Sequence, residues 1–258
     1  MADLTRRLVG KVIAVAGGGG IGDELARRYA AEGASVLLGD VDDVRAEAAA
    51  ESVRSAGGIA RGMALDGGDE NSVSDFFATA AAEFGGLDGA HINFASFIDA
   101  GLPVDVLGLP IDTYDEVMRV NARGFVLCTR AALPLLLERG GGSIIYTSSG
   151  AAHAGSPIRV AYAMSKSAGH ALMRHVAAAF GGRNIRANVI APGYILHDRL
   201  RANAKPGLES RAIEGNLFKG RAGEATDIAA MAALLMSDEG AFITGQVISV
   251  DGGSSMRP

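Results

Sequence analysis

Tyr162 and Lys166 stand four residues apart in the run Ala161-Tyr162-Ala163-Met164-Ser165-Lys166, and Ser149 precedes the tyrosine by thirteen positions. On a helix, residues i and i+4 share a face, so this spacing can hold an ammonium close to a phenol. A phenol with an ordinary pKa of about 10 is a poor base at neutral pH, and a fixed cation beside it lowers that value. A tyrosinate-like group next to a serine hydroxyl can take a proton from an alcohol and hold the oxygen that results. An ordinary helix with an aromatic and a charge would show the same residues, so the elements around them decide.

Those elements follow from hydropathy. Val12 to Ala16, Ser35 to Leu38, Ala60 to Leu65, Gly89 to Asn93, Ser143 to Thr147, Ala187 to Ile190 and Val247 to Val250 are short runs rich in Val, Ile and Ala. Their near-continuous apolarity is that of strands covered on both faces. Helical periods fill the gaps: Gly22 to Glu32, Val44 to Ala56, Glu70 to Phe84, Tyr114 to Arg139, Pro157 to Phe180 and Thr226 to Ser237. Ser156 and Pro157 predict the cap and first residue of the helix carrying the tyrosine, and Gly181-Gly182 its stop. The glycine pairs at 57–58, 67–68 and 85–86 fall at element ends. This alternation predicts an α/β fold of three layers, a doubly wound seven-stranded parallel sheet of Rossmann type with helices on both faces. No linker or repeat divides residues 1–258, which predicts one domain. The stretch from about 194 to 223 lacks a clear period and predicts a binding flap. Leu196, Leu200, Leu208, Ile213, Leu217 and Phe218 make that flap apolar, and Arg201, Lys205, Arg211 and Lys219 make it basic.

Bulk properties narrow the function. With 258 residues, 48% hydrophobic and 21% charged, the chain can bury a large core. A formal net charge of −5 argues against nucleic acid or an anionic membrane as partner. The single Cys128 cannot form an internal disulfide, which fits a reducing cytoplasm; it reads as a small buried apolar residue. No uninterrupted apolar run has the eighteen or so residues of a membrane span. No His, Cys and Asp fall at metal-ligand spacing, so no metal is expected.

The first strand runs into Ala16-Gly17-Gly18-Gly19-Gly20-Ile21-Gly22, and a helix follows at once. Glycines let a backbone approach a pyrophosphate, and a helix N-terminus offers N–H groups and positive potential to it. Gly17, Gly19, Gly20, Ile21 and Gly22 are therefore candidate cofactor contacts. Asp40 closes the second strand, where a carboxylate can accept hydrogen bonds from an adenosine ribose and repel a 2′-phosphate. No Lys or Arg sits in the glycine turn or beside Asp40, which points to NAD over NADP. Asp66, ending the third strand, is placed for the adenine side or is simply a turn residue.

Taken together, these residues resemble the short-chain dehydrogenase/reductase family, in its compact branch of about 250 residues, across essentially the whole chain. Val120-Asn121-Ala122-Arg123-Gly124, Thr147-Ser148-Ser149, Tyr162-x-x-x-Lys166, Asn188-Val189-Ile190-Ala191-Pro192-Gly193 and Ile243-Thr244-Gly245-Gln246-Val247 through Asp251-Gly252-Gly253 match its motifs in order. The resemblance implies an NAD(H)-dependent oxidoreductase that interconverts an alcohol and its carbonyl compound. Tyr162 would be the general acid/base. Lys166 would lower its pKa and bind the nicotinamide ribose. Ser149 would hold the substrate oxygen, and Ser148 would be structural. Asn121, a poor helix former inside a helix, would position a water that relays protons to Lys166. Pro192, Gly193 and Ile195 would pack near the nicotinamide. Dimers or tetramers pairing the two long helices would follow as well. An NADPH-dependent reductase, or a nucleotide-binding scaffold without turnover, are the alternatives.

Departures from the family pattern are also visible. Gly17-x-Gly19-x-x-Gly22 fits the general dinucleotide fingerprint better than the family's own turn and leaves no side chain in it for phosphate. The family's Asn-Asn-Ala-Gly is Ile92-Asn93-Phe94-Ala95 here, which keeps Asn93 and Ala95 as cofactor contacts and adds an aromatic. His197 stands where a threonine often meets the nicotinamide amide. His153 and Arg159 flank the serine and tyrosine and read as pocket or exposed loop residues. His91, inside an apolar strand, reads as core.

Overall fold

The computed structural model describes residues 6–99, 102–197, 200, 201 and 207–256. Strands β1 (Val12–Ala16), β2 (Ser35–Asp40), β3 (Ile59–Ala64), β4 (Gly89–Ile92), β5 (Gly142–Thr147) and β6 (Ile185–Pro192) run parallel. Two short strands, β7 (Ile195–Leu196) and β8 (Gly223–Glu224), pair with each other, and β9 (Val247–Val250) returns beside β6. The seven-stranded order is β3-β2-β1-β4-β5-β6-β9, so the chain winds outward in both directions from the β1–β4 junction. In sheets of this type the crevice at that reversal, outside the carboxyl ends of the strands, is where ligands sit.

Each buried strand sorts its side chains with a period of two. Val12, Ala14 and Ala16 face a layer with Phe76, Phe77, Phe125 and Leu136; these come from α3 (Glu70–Phe84) and α5 (Gly124–Glu138), next to α6 (Val160–Phe180). Ile13 and Val15 face the opposite layer with Leu25 and Tyr29 of α1 (Ile21–Ala31), Ala50 and Val53 of α2 (Asp43–Ser55), and Ile228 of the C-terminal helix Ala225–Met236. Asp42 and Asp69 cap α2 and α3 by accepting the Arg45 and Ser72 amides at 3.1 and 2.7 Å.

Three local readings need correction. The expected helix Tyr114 to Arg139 begins at α4 (Ile111–Val117), passes through a π-helical stretch, Met118–Arg123, and only then becomes α5. This composite helix is long and apolar enough by length and composition to cross a membrane, which a search for uninterrupted apolar runs overlooks. Here Phe125, Leu127, Cys128, Ala132 and Leu136 instead pack into the core. Secondly, α6 starts at Val160, not Pro157: the buried Asp99 carboxylate accepts the Tyr162 amide at 3.0 Å and supplies the cap from another loop. Ser156 caps nothing but its own turn, accepting the Ile158 amide at 3.3 Å. The α-helix does stop at Phe180 with Gly181 as its C-cap, as Gly181-Gly182 predict, and a 3₁₀ turn, Gly181–Arg183, and the left-handed Asn184 follow. Thirdly, Gly67 and Gly68 do more than end an element. A side chain at Gly67 would overlap the Phe94 ring, and one at Gly124 or Gly17 would come within 2.8 Å of Phe94. The added aromatic is seated against three glycines.

The flap is not structureless. It holds β7, α7 (Leu208–Glu214) and β8, and leads into α8 (Ala225–Met236). Residues 198, 199 and 202–206, Lys205 among them, lie outside the described residues.

Candidate active site

The flagged residues gather at the carboxyl edge of the sheet. Gly17 follows β1, Asp40 ends β2, Asp66 follows β3, and Asn93 and Ala95 follow β4. Ser149 follows β5, Pro192 ends β6 with Gly193 after it, and Ile195 starts β7.

On the β4–β5 side, Tyr162 and Ser149 meet. The Tyr162 side chain is 6% exposed and is hydrogen-bonded by the Ser149 hydroxyl. Burial raises its pKa; the Ser149 hydrogen bond and the Arg159 charge oppose that rise. The Phe97 ring, itself exposed, lies 5.3 Å from the Tyr162 ring, centroid to centroid. Lys166 is brought onto the same helix face, but its Nζ donates to the carbonyls of Thr147 at 2.8 Å and Phe94 at 3.4 Å. Its ammonium stands 5.8 Å from the Tyr162 ring centroid, and burial lowers its pKa to about 7. The nearer cation is Arg159, half-buried and 4.3 Å over that ring, so of its two readings the exposed loop residue is the one that fails.

Asn121 sits in the π-helical stretch, fully buried. Its Oδ1 accepts the Ser96 amide at 2.7 Å and its Nδ2 donates to Ser165 Oγ at 3.0 Å, tying the loop after β4 to α6. Single π turns recur at functional sites because they redirect one backbone carbonyl out of the helix ladder. Ser148 bonds His170 Nε2 at 2.7 Å and the Lys166 carbonyl at 3.2 Å. His153 stacks on His170 at 4.8 Å between centroids. Beneath them runs a buried polar chain: Tyr29 Oη to His91 Nδ1 at 2.7 Å, then His91 Nε2 to Thr147 Oγ1 at 2.9 Å. Burial lowers the His91 pKa to about 3, so its ring is neutral, with one nitrogen donating and one accepting. His91 is indeed in the core, yet it braces the residue whose carbonyl holds Lys166.

On the β1–β2 side, Gly19 and Gly20 take φ of 74° and 43°, open to glycine and strained for other residues. Gly20 precedes α1 without a side-chain cap, so the leading helix N–H groups have no intrahelical acceptor. Asn93 Nδ2 donates to the Gly17 carbonyl at 2.9 Å and pins the turn. This cradle fits a pyrophosphate, with qualifications that neighbours outside the turn impose. Asp23 Oδ1 accepts the Gly19 amide at 2.7 Å, placing a carboxylate where phosphate would approach. The expectation of no cation beside Asp40 also fails: Arg45 pairs with Asp40 and lies 3.6 Å from where a Gly19 side chain would start. The turn itself carries no side chain, but His197 packs on Gly20 from the loop after β7. Gly19, Gly20, Asp23, Arg45, His197 and Arg201 line a cavity of about 440 Å³. Asp66 accepts the Gly68 amide at 2.8 Å and stands 3.7 Å from Arg119. No His, Cys, Asp and Glu group able to hold a metal occurs among the described residues.

Arg45 could have been found. It follows the Asp42 cap by three, so the first turn of α2 carries it back to Asp40. Asp99 and the partner of His91 carry no such signal, because each meets its contact across tens of residues.

Comparison with known proteins accords with this geometry. A family model described as enoyl-(acyl carrier protein) reductase matches residues 15–255. A probable short-chain type dehydrogenase/reductase of Bradyrhizobium diazoefficiens is 38% identical over 250 residues, covering 96% of this chain and 88% of that protein. A 2-(S)-hydroxypropyl-CoM dehydrogenase of Xanthobacter autotrophicus is 34% identical, covering 97% and 98%. Among solved structures, a 7α-hydroxysteroid dehydrogenase complexed with NADH and 7-oxo glycochenodeoxycholic acid superposes with a TM-score of 0.87. Its identity is 31%, over 96% of each chain.

Proposed function

This chain belongs to the short-chain dehydrogenase/reductase family of oxidoreductases, and from that premise we propose that it interconverts a small-molecule alcohol and the matching ketone or aldehyde with NAD(H). The observation that carries the reading is the Ser149 hydroxyl bonded to a nearly buried Tyr162 phenol at the sheet edge that also bears the glycine turn. A bound nicotinamide would supply the hydride acceptor or donor. Tyr162 would take the alcohol proton in oxidation and return it in reduction, at its Oη. Ser149 Oγ would hold the substrate oxygen in line with that proton. Lys166, fixed by the Thr147 and Phe94 carbonyls, would present its remaining ammonium proton toward the nucleotide. Gly17, Gly19, Gly20, Ile21, Gly22, Asn93 and Ala95 would bind the nucleotide backbone, and Asp40 and Asp66 its adenosine.

Phe97, Ile98, Ile158, Tyr194, Leu217 and Phe218 expose large apolar surfaces on loops at this edge. They favour a hydrophobic secondary alcohol, and the alcohol, diol-type and hydroxysteroid substrates named for relatives are in keeping with that. NADP(H) is the second reading, because Arg45 next to Asp40 could receive a 2′-phosphate. A panel of alcohols, diols and ketones with NAD and NADP in parallel, followed by nicotinamide absorbance, tests both. Nucleotide binding without turnover on any of them would overturn the enzymatic reading.

A further inference from the structure

Arg159 is a charged residue at the entrance of α6 that the proposed chemistry leaves unused. It is left-handed, with φ 63°, a conformation uncommon for any residue but glycine. That turn folds the side chain back along its own helix and sets the guanidinium 4.3 Å over the Tyr162 ring. No carboxylate pairs with it among the described residues, and its Nε is buried without a partner. A residue held in a sparsely populated conformation with an unspent donor persists only where the surroundings impose it. Asp99 does so here, since it caps the helix at Tyr162 rather than at Pro157 and leaves Arg159 at the bend.

The charged and titratable groups around Tyr162 come from three elements. Asp99 lies on the loop after β4, Ser149 after β5, and Lys166 and Arg159 on α6 and its entrance. Asp99 opposes phenolate formation, and Ser149 and Arg159 favour it. Lys166 is farther away, holds two backbone carbonyls, and sheds its own proton near neutrality. A guanidinium stays charged throughout the working range.

We propose that Arg159, rather than Lys166 alone, supplies the positive charge that brings the Tyr162 phenol toward its proton-accepting form. Arg159 is then a positioning residue, and its use in catalysis rests on the reading given above. The test needs neither nucleotide nor substrate, so a failure to find turnover leaves it intact. Phenolate absorbance is titrated in the protein and in its Tyr162→Phe variant, and the difference reports Tyr162 alone. The same pair is measured on Arg159→Met and Arg159→Lys backgrounds. Methionine keeps an unbranched side chain and faces the same left-handed backbone, and thermal melts check that each variant is folded.

The expected result is a midpoint raised by about one pH unit or more in Arg159→Met, and at least half restored in Arg159→Lys. Loss of a measurable midpoint in Arg159→Met, where the unsubstituted protein shows one, counts as that rise. Three results overturn the proposal: an unmoved midpoint in Arg159→Met, an equal shift in both variants, or a Tyr162 that does not ionise below the pH of unfolding in the unsubstituted protein.

Discussion

The two halves of the sheet edge are built differently. On the β4–β5 side, Asn121, Ser148, Tyr162 and Lys166 are buried, and their partners are mostly backbone groups or neutral side chains of the core. On the β1–β2 side, Asp23, Arg45 and Arg201 line the cavity beside the glycine turn, and Arg45 pairs with Asp40 behind it. Short-range hydrogen bonds in a dry core tolerate little displacement. Ion pairs near solvent are worth little individually and are easily rearranged. The half proposed to handle protons should therefore be intolerant of change, and the half proposed to bind nucleotide should be adjustable.

The largest effect that bears on this contrast is at Tyr162. Tyr162→Phe should lose at least about 10²-fold in turnover while nucleotide affinity, read by calorimetry, stays where it was. An equal loss of nucleotide affinity would show that the halves act as one unit. Next comes His91. Its folded pKa lies below its unfolded value, so its contribution to stability is fully present above about pH 6.5 and drains away as pH falls toward 3. Urea unfolding at pH 6.5 and 4.5 should differ by up to about 2 kcal/mol more in the unsubstituted protein than in His91→Phe. Equal pH slopes in the two proteins would mean that the buried chain from Tyr29 to Thr147 is not rigidly neutral.

On the adjustable side, Arg45→Ala should shift the ratio of NADP to NAD affinity toward NAD by about tenfold, with turnover at saturating nucleotide unchanged. An unmoved ratio would assign the choice to Asp40 alone. The smallest expected effect is at Asp23. Asp23→Asn keeps an acceptor for the Gly19 amide but removes its charge, and should tighten nucleotide binding about threefold while lowering the melting temperature slightly. Weaker binding would show that the carboxylate shapes the turn more than it repels phosphate.

This same contrast governs what could be read from the chain alone. Strand runs, the winding of the sheet and the Ser149–Tyr162–Lys166 set were legible, because period and spacing along the chain determine which residues share a face or an edge. Contacts supplied from elsewhere were not. Ser156-Pro157 is a sound helix start that lost to Asp99, a carboxylate about sixty positions upstream that reaches the Tyr162 amide. Lys166 was placed against the phenol by helical spacing, yet the Thr147 carbonyl takes its ammonium. Arg45 is no sequence neighbour of Asp40, and the two meet only because the cap at Asp42 folds α2 back upon the strand end.

Phe94 carries a consequence for anyone recombining this chain with its relatives. Its ring and backbone occupy room left by Gly17, Gly67 and Gly124, which belong to the phosphate turn, the end of β3 and the start of α5. Three segments distant along the chain thus share one steric lock. A chimera with a crossover between residues 17 and 124 would separate the wedge from its sockets and leave either a collision or a void. Crossovers beyond residue 124 would leave that lock whole.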